Sequence, residues 1–101
     1  MDQYAEIRRI ALPILKPYIS RMAVFGSIVR GEATKKSDID LLIRLKPSDK
    51  RRKLGLFKLM EIEEKLRKKL GREVDVVTED GLSQYVRPYV EKEKVIIYEE
   101  G

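Results

Sequence analysis

Phe25-Gly26-Ser27-Ile28-Val29-Arg30-Gly31-Glu32-Ala33-Thr34-Lys35-Lys36-Ser37-Asp38-Ile39-Asp40-Leu41-Leu42-Ile43 is the stretch on which the reading of this chain turns. It opens at the end of a short apolar run, Met22 to Phe25, that reads as a strand closed by Gly26. Glycine at that point lets the backbone approach a ligand closely, because no Cβ intervenes. Ser27 to Arg30 reads as one helical turn before Gly31. The first N–H groups of such a turn point outward, which makes a ready phosphate site. The stretch closes on a second strand, Asp38 to Leu45, in which Ile39, Leu41 and Ile43 alternate with Asp38, Asp40 and Leu42; Pro47 ends it. Asp38 and Asp40 therefore leave the same face, with Cα atoms roughly 6–7 Å apart. Two carboxylates so placed can converge on one or two magnesium ions, which prefer hard oxygen ligands. Alone, an Asp-x-Asp pair reads as two exposed turn acids. Held together on one strand, the like charges are costly without a cation.

Working outward, Ile7, Ile10, Ala11 and Ile14 recur at helical spacing, predicting a helix from about Gln3 to Leu12 that Pro13 and Pro17 kink or end. Past the second strand, a long helix is expected from about Asp49 to Leu70. Its apolar stripe is Leu56, Leu59, Ile62, Leu66 and Leu70, and Gly71 stands at its C-terminal cap. Glu73 to Thr78 reads as a third strand, with Val74 and Val76 on one side and Glu73, Asp75 and Val77 on the other. A short helix follows near Pro88 to Lys92, with Pro88 suited to its first turn, then a last strand from Lys94 to Tyr98. The expected fold is α/β of the α+β kind: a small mixed sheet of about four strands with helices packed on it, in one domain spanning residues 1–101. The link between the first two strands is too brief for a helical crossover, so those strands are expected to be antiparallel.

Composition narrows the chemistry. Histidine and cysteine are both absent, which removes imidazole bases, thiolate nucleophiles, disulfides and the usual zinc sites. What remains is carboxylates, hydroxyls, cations and metals. The 22 basic residues exceed the 17 acidic ones, for a formal charge of +5, a mild excess that suits anionic ligands. Much of it sits in Lys50-Arg51-Arg52-Lys53 and Arg67-Lys68-Lys69. Neither run is interleaved with aromatics, so direct nucleic-acid binding is not expected. The N-terminus has no signal-peptide pattern and no apolar run is long enough to span a membrane, so a cytoplasmic protein is expected.

Gly26-Ser27, ten intervening residues, then Asp38-x-Asp40 is similar to the signature of the DNA polymerase β-like nucleotidyltransferase superfamily. Arg30-Gly31-Glu32-Ala33 and Ser37 narrow the resemblance to the minimal nucleotidyltransferase family, which includes the MntA-type antitoxins encoded beside HEPN-domain toxins. The resemblance covers nearly the whole chain and implies the polymerase β-like nucleotidyltransferase fold. It implies that Gly26 and Ser27 hold a triphosphate and that Asp38 and Asp40 bind Mg2+, two ions being expected. It implies a third carboxylate from a later strand, for which Asp75 is the matching position, as a metal ligand and as general base or guide for the acceptor hydroxyl. Arg30 could neutralise triphosphate charge or pair with Glu32 or another carboxylate. Glu73 is a weaker candidate beside Asp75, better read as an exposed edge acid. Lys35 and Lys36 could steer ATP, though a solvated loop accounts for them. Tyr85, Tyr89 and Tyr98 could stack on a base, though packing at the core's edge is the simpler expectation.

The activity implied is transfer of AMP from ATP to a hydroxyl, a tyrosine of a partner HEPN-domain toxin in the toxin-linked members. So small a domain favours a protein acceptor docked on its surface. A small-molecule acceptor, as in the aminoglycoside nucleotidyltransferases, usually calls for an added helical domain, whose missing wall a homodimer could supply. An antitoxin that inhibits by binding alone would not require three converging acids.

Overall fold

The computed structural model describes residues 2–32, 37–50 and 53–100. Lys35, Lys36, Arg51 and Arg52 lie outside them. The described residues form three helices and one four-stranded mixed sheet, in the order helix, strand, strand, helix, strand, helix, strand.

Helix α1 spans Gln3–Leu15, with Asp2 capping it by accepting a hydrogen bond from the Ala5 amide at 2.8 Å. It runs three residues past the expected end and contains Pro13. Proline so near the end removes a single intrahelical bond, and burial of Ile7, Ala11 and Leu15 against the sheet outweighs that loss. Strand β1, Ile19–Phe25, begins three residues earlier than its apolar run suggests. Arg21 obscures the pattern. Its guanidinium is satisfied by Glu79, at 2.9 Å and 3.2 Å, with both side chains only 13% exposed. A charge paired this way fits within a strand that sequence hydropathy would end.

Strand β2 is Ile39–Leu45 and pairs antiparallel with β1, as expected from the short connection. Helix α2 starts at Leu56, not near Asp49: Ser48–Lys50 make a separate turn, and Gly55 takes the N-cap position of the helix Leu56–Leu70. Glycine is a poor interior helix residue but an acceptable cap, so the helix begins there. Leu56, expected in the buried stripe, is 70% exposed, whereas Ile62 and Leu66 are buried. The first turn overhangs the core. Gly71 ends the helix in the left-handed conformation at φ 67°, behind the basic residues of the last turn.

Strand β3, Val74–Thr78, returns parallel to β2 through α2. Helix α3, Arg87–Glu93, carries Pro88 in its first turn, and strand β4, Val95–Glu99, pairs antiparallel with β1. The sheet order is β3-β2-β1-β4. Side chains occupy both outer edges: Glu63 accepts from the Val76 amide at 2.9 Å, and Arg8 donates to the Ile97 carbonyl at 3.0 Å.

Strand alternation divides the sheet into two unlike faces. Met22, Val24, Ile39, Leu41, Ile43, Val74 and Val76 pack with α1 and α2 into the main core. Ala23 and Leu42 face the other way, under Val90 of α3, with Phe25, Val77 and Leu82 around them. That second face is covered over only part of its length. Asp40 and Asp75 share its side of the strands.

Candidate functional site

Register brings the site together. Asp75 of β3 stands beside Asp40 of β2, and Asp40 stands opposite Phe25 of β1. One row thus crosses three strands and ends where β1 turns at Gly26. Adjacent strands lie about 4.8 Å apart, so the Asp40 and Asp75 side chains leave the same face as neighbours. Asp38, just before β2, completes the group. Its position follows from ties between the beginnings of β2 and β3: the Ile39 amide donates to the Glu73 carbonyl at 2.9 Å, and Arg72 Nε donates to the Ser37 carbonyl at 2.9 Å.

Gly26 completes the row because it has no side chain. Its φ is +84°, and a Cβ built there would strike Oδ2 of Asp40. Only glycine combines that backbone conformation with a carboxylate lying directly over it. Gly26–Ile28 then make a single tight turn, in which the Val29 and Arg30 amides donate to the Gly26 carbonyl at 3.1 Å and 3.2 Å.

The electrostatics agree with the geometry. Burial first, then the charges of Asp75 and Asp38, push the Asp40 carboxyl above the ordinary carboxylate range; Arg30 opposes the shift and Glu93 adds to it. The charges of Asp75 and Asp38 therefore both reach Asp40. Among the described residues, no three acids are already closed around a metal-sized point. The donor set still fits a hard divalent cation. It is all oxygen, it is crowded with like charge, and one member is half-buried and raised in pKa by its neighbours. Asp38 and Asp40, with Asp75 beside them, are the residues that would hold it.

Arg30 does not stand open toward a ligand. It pairs with Glu32 at 2.8 Å and with Glu93 at 3.1 Å, the alternative left open from sequence. Glu73 points to Arg67, at 2.8 Å, as an exposed acid at the start of the edge strand. Tyr98 packs against the main core, as expected. Tyr85, in the turn before α3, and Tyr89, on α3, do not: they are 77% and 74% exposed. The helix is only two turns long and presents one buried residue, Val90, so its opposite side has nothing to pack against.

Glu93 is the residue that sequence reasoning missed. From the last turn of α3, its Oε1 accepts from the Gly26 amide at 2.9 Å. In a run as acidic as 91–100 nothing singles it out. Its spacing from Val90 was the available signal: three residues after a buried position, a side chain lies on the inward flank of the helix, where a charge needs a partner.

The nucleotidyltransferase domain model matches residues 5–97, a span that contains the glycine turn and all three acids. The chain belongs to that family of nucleotidyl-transfer enzymes, within its minimal nucleotidyltransferase branch. The protein adenylyltransferase MntA of Thermococcus cleftensis is 37% identical over 79 residues, covering 78% of this chain and 75% of the relative. A solved structure described as a candidate minimal nucleotidyltransferase superimposes with a TM-score of 0.72 at 33% identity, covering 94% of this chain and 95% of the other. The same fold occurs in a toxin–antitoxin crystal structure with AMP-PNP, with a TM-score of 0.77 at 21% identity, covering 97% and 74% of the two chains. It occurs again in the complex of a tri-AMPylated HEPN toxin of Shewanella oneidensis with its MNT antitoxin, with a TM-score of 0.64 at 19% identity, covering 92% and 72%.

Proposed function

We propose that this protein is a magnesium-dependent protein adenylyltransferase that moves AMP from ATP to a tyrosine hydroxyl of a HEPN-domain toxin, and so acts as that toxin's antitoxin. The observation that carries the reading is the row Asp75–Asp40–Gly26, with the Asp40 carboxylate lying over a glycine held at φ +84°. The name of the Thermococcus relative and the AMPylated toxin in the Shewanella complex support the acceptor class.

In this reading Gly26 lets the triphosphate lie against the backbone, and Ser27 donates to its oxygens at the start of the turn. Arg30, paired with Glu32 and Glu93, flanks the turn and steadies it rather than reaching the phosphates. Asp38 and Asp40 hold two Mg2+ ions, with Asp75 as a further ligand. Bound there, the metal supplies charge that offsets the triphosphate and the leaving group. Asp75 also orients the acceptor hydroxyl and takes its proton. The acceptor oxygen forms a bond to the α-phosphorus, the bond from that phosphorus to the bridging oxygen breaks, and pyrophosphate leaves with the electron pair. The reaction takes place in the cytoplasm, where ATP and the partner meet.

Intact mass spectrometry tests the proposal directly. Purified protein, Mg-ATP and a HEPN-domain protein encoded beside it are incubated together. The expected result is an AMP-sized mass gain on the partner, on a tyrosine-containing peptide, absent with Asp38→Ala. Inhibition of the partner that persists in Asp38→Ala without a mass change would replace the enzyme by a binding antitoxin.

A further inference from the structure

The turn at residues 26–30 has to meet a polyanion, yet its first residue is a glycine with no side chain to restrain it. The restraint comes from far along the chain. Glu93 Oε1 accepts from the Gly26 amide at 2.9 Å, and Arg30 Nη1 donates to Glu93 Oε1 and Oε2 at 3.3 Å and 3.1 Å. One carboxylate thus grips both ends of the turn. Its side chain is only 22% exposed, and it reaches Gly26, itself buried, from the flank of α3 beside buried Val90. Arg30 is held from its other side by Glu32 at 2.8 Å.

We propose that Glu93 is a positioning residue for the triphosphate: by clasping the Gly26 amide and the Arg30 guanidinium it holds the glycine turn ready before nucleotide arrives. The assignment rests on the nucleotidyl-transfer reading above. A fourth acid on a face that already carries Asp38, Asp40 and Asp75 adds repulsion, and a residue that only packed α3 to the sheet would not need the charge. The clasp supplies the reason for it. The carboxylate accepts from the buried Gly26 amide, and it ties the Arg30 guanidinium to the same point. A carboxylate that merely kept the place of a phosphate oxygen would leave when ATP bound, and removing it would strengthen binding. The clasp requires the opposite.

The test has two arms on the whole chain. Amide exchange at Gly26, followed by NMR, reports the clasp itself. Calorimetric titration with Mg-ATP reports its consequence. Glu93→Ala is expected to speed Gly26 exchange and to weaken Mg-ATP binding, each by about tenfold. Glu93→Gln keeps an acceptor for the amide but loses the ion pair to Arg30, and is expected to recover most of the Gly26 protection and only part of the Mg-ATP affinity relative to alanine. Glu93→Asp keeps the charge but withdraws it by one methylene, and is expected to behave like alanine; it serves if the alanine variant does not fold. Unchanged Gly26 exchange in Glu93→Ala or Glu93→Asp overturns the clasp, and tighter Mg-ATP binding in either shows a placeholder instead. Wild-type protein that binds no Mg-ATP, while Gly26 still responds to Glu93→Ala, overturns the transfer reading and the purpose given to the clasp, leaving the contact as a feature of folding.

Discussion

The two faces of one sheet have been put to opposite uses. Among the described residues, fifteen buried apolar ones form a continuous core on the face under α1 and α2, and three do so on the face under α3. The difference arises from neighbouring residues in the same strands: Leu41 is fully buried in the first face, while Asp40 lies half-buried in the second. Stability is concentrated on one side, which leaves the other free to carry a destabilising cluster of carboxylates. A protein of this size, with one modest core, has no other way to tolerate them.

Truncating the strong face should produce the largest change. Leu41→Ala is expected to cost about 2–5 kcal/mol of stability. Chemical denaturation measures it, and AMP transfer per folded molecule should stay near wild type; a large activity loss without destabilisation would blur the division between the faces. One residue earlier, Asp40→Ala should do the reverse. Transfer is expected to fall on the order of 10²–10³-fold with the fold intact, as seen by partner mass gain against a thermal melt.

Gly26→Ala probes the boundary between the two uses. The added Cβ meets Asp40 and the backbone is held at φ +84°, so a loss of about 1–3 kcal/mol is expected together with weaker Mg-ATP binding. A variant as stable and as tightly binding as wild type would mean that Asp40 does not lie over the glycine in solution.

The smallest effect is the most diagnostic. Because the folded Asp40 carboxyl is raised, its ionisation works against folding. That penalty is absent below the ordinary carboxylate range, grows as pH rises toward the folded value, and is complete above it. Asp40→Asn should therefore melt slightly higher than wild type at neutral pH, with the gap closing as pH falls. Melting curves across that range, without metal, check the sign; added Mg2+ should narrow the gap by stabilising the wild type more.

The glycine turn and the first two acids were legible because each depends on neighbours a few residues away. The Asp38–Asp40 spacing is read directly from the sequence, although Asp38 lies just before the observed strand, and Gly71 at the end of α2 announced itself similarly. The start of α2 and the exposed sides of Tyr85 and Tyr89 were not legible. Periodicity marks a side that can be buried, and only the packed neighbours show whether anything covers it.

Local order therefore settles a good deal: element types, the glycine turn and the Asp38–Asp40 spacing follow from backbone geometry acting over two to four residues, and the antiparallel first pair follows from the short link between its strands. The meeting of Asp75 with Asp40, and of Glu93 with Gly26 across a separation of 67 residues, belongs to the assembled fold. Sheet register and helix docking are won by burial summed over the whole molecule, and no stretch of chain carries that sum by itself.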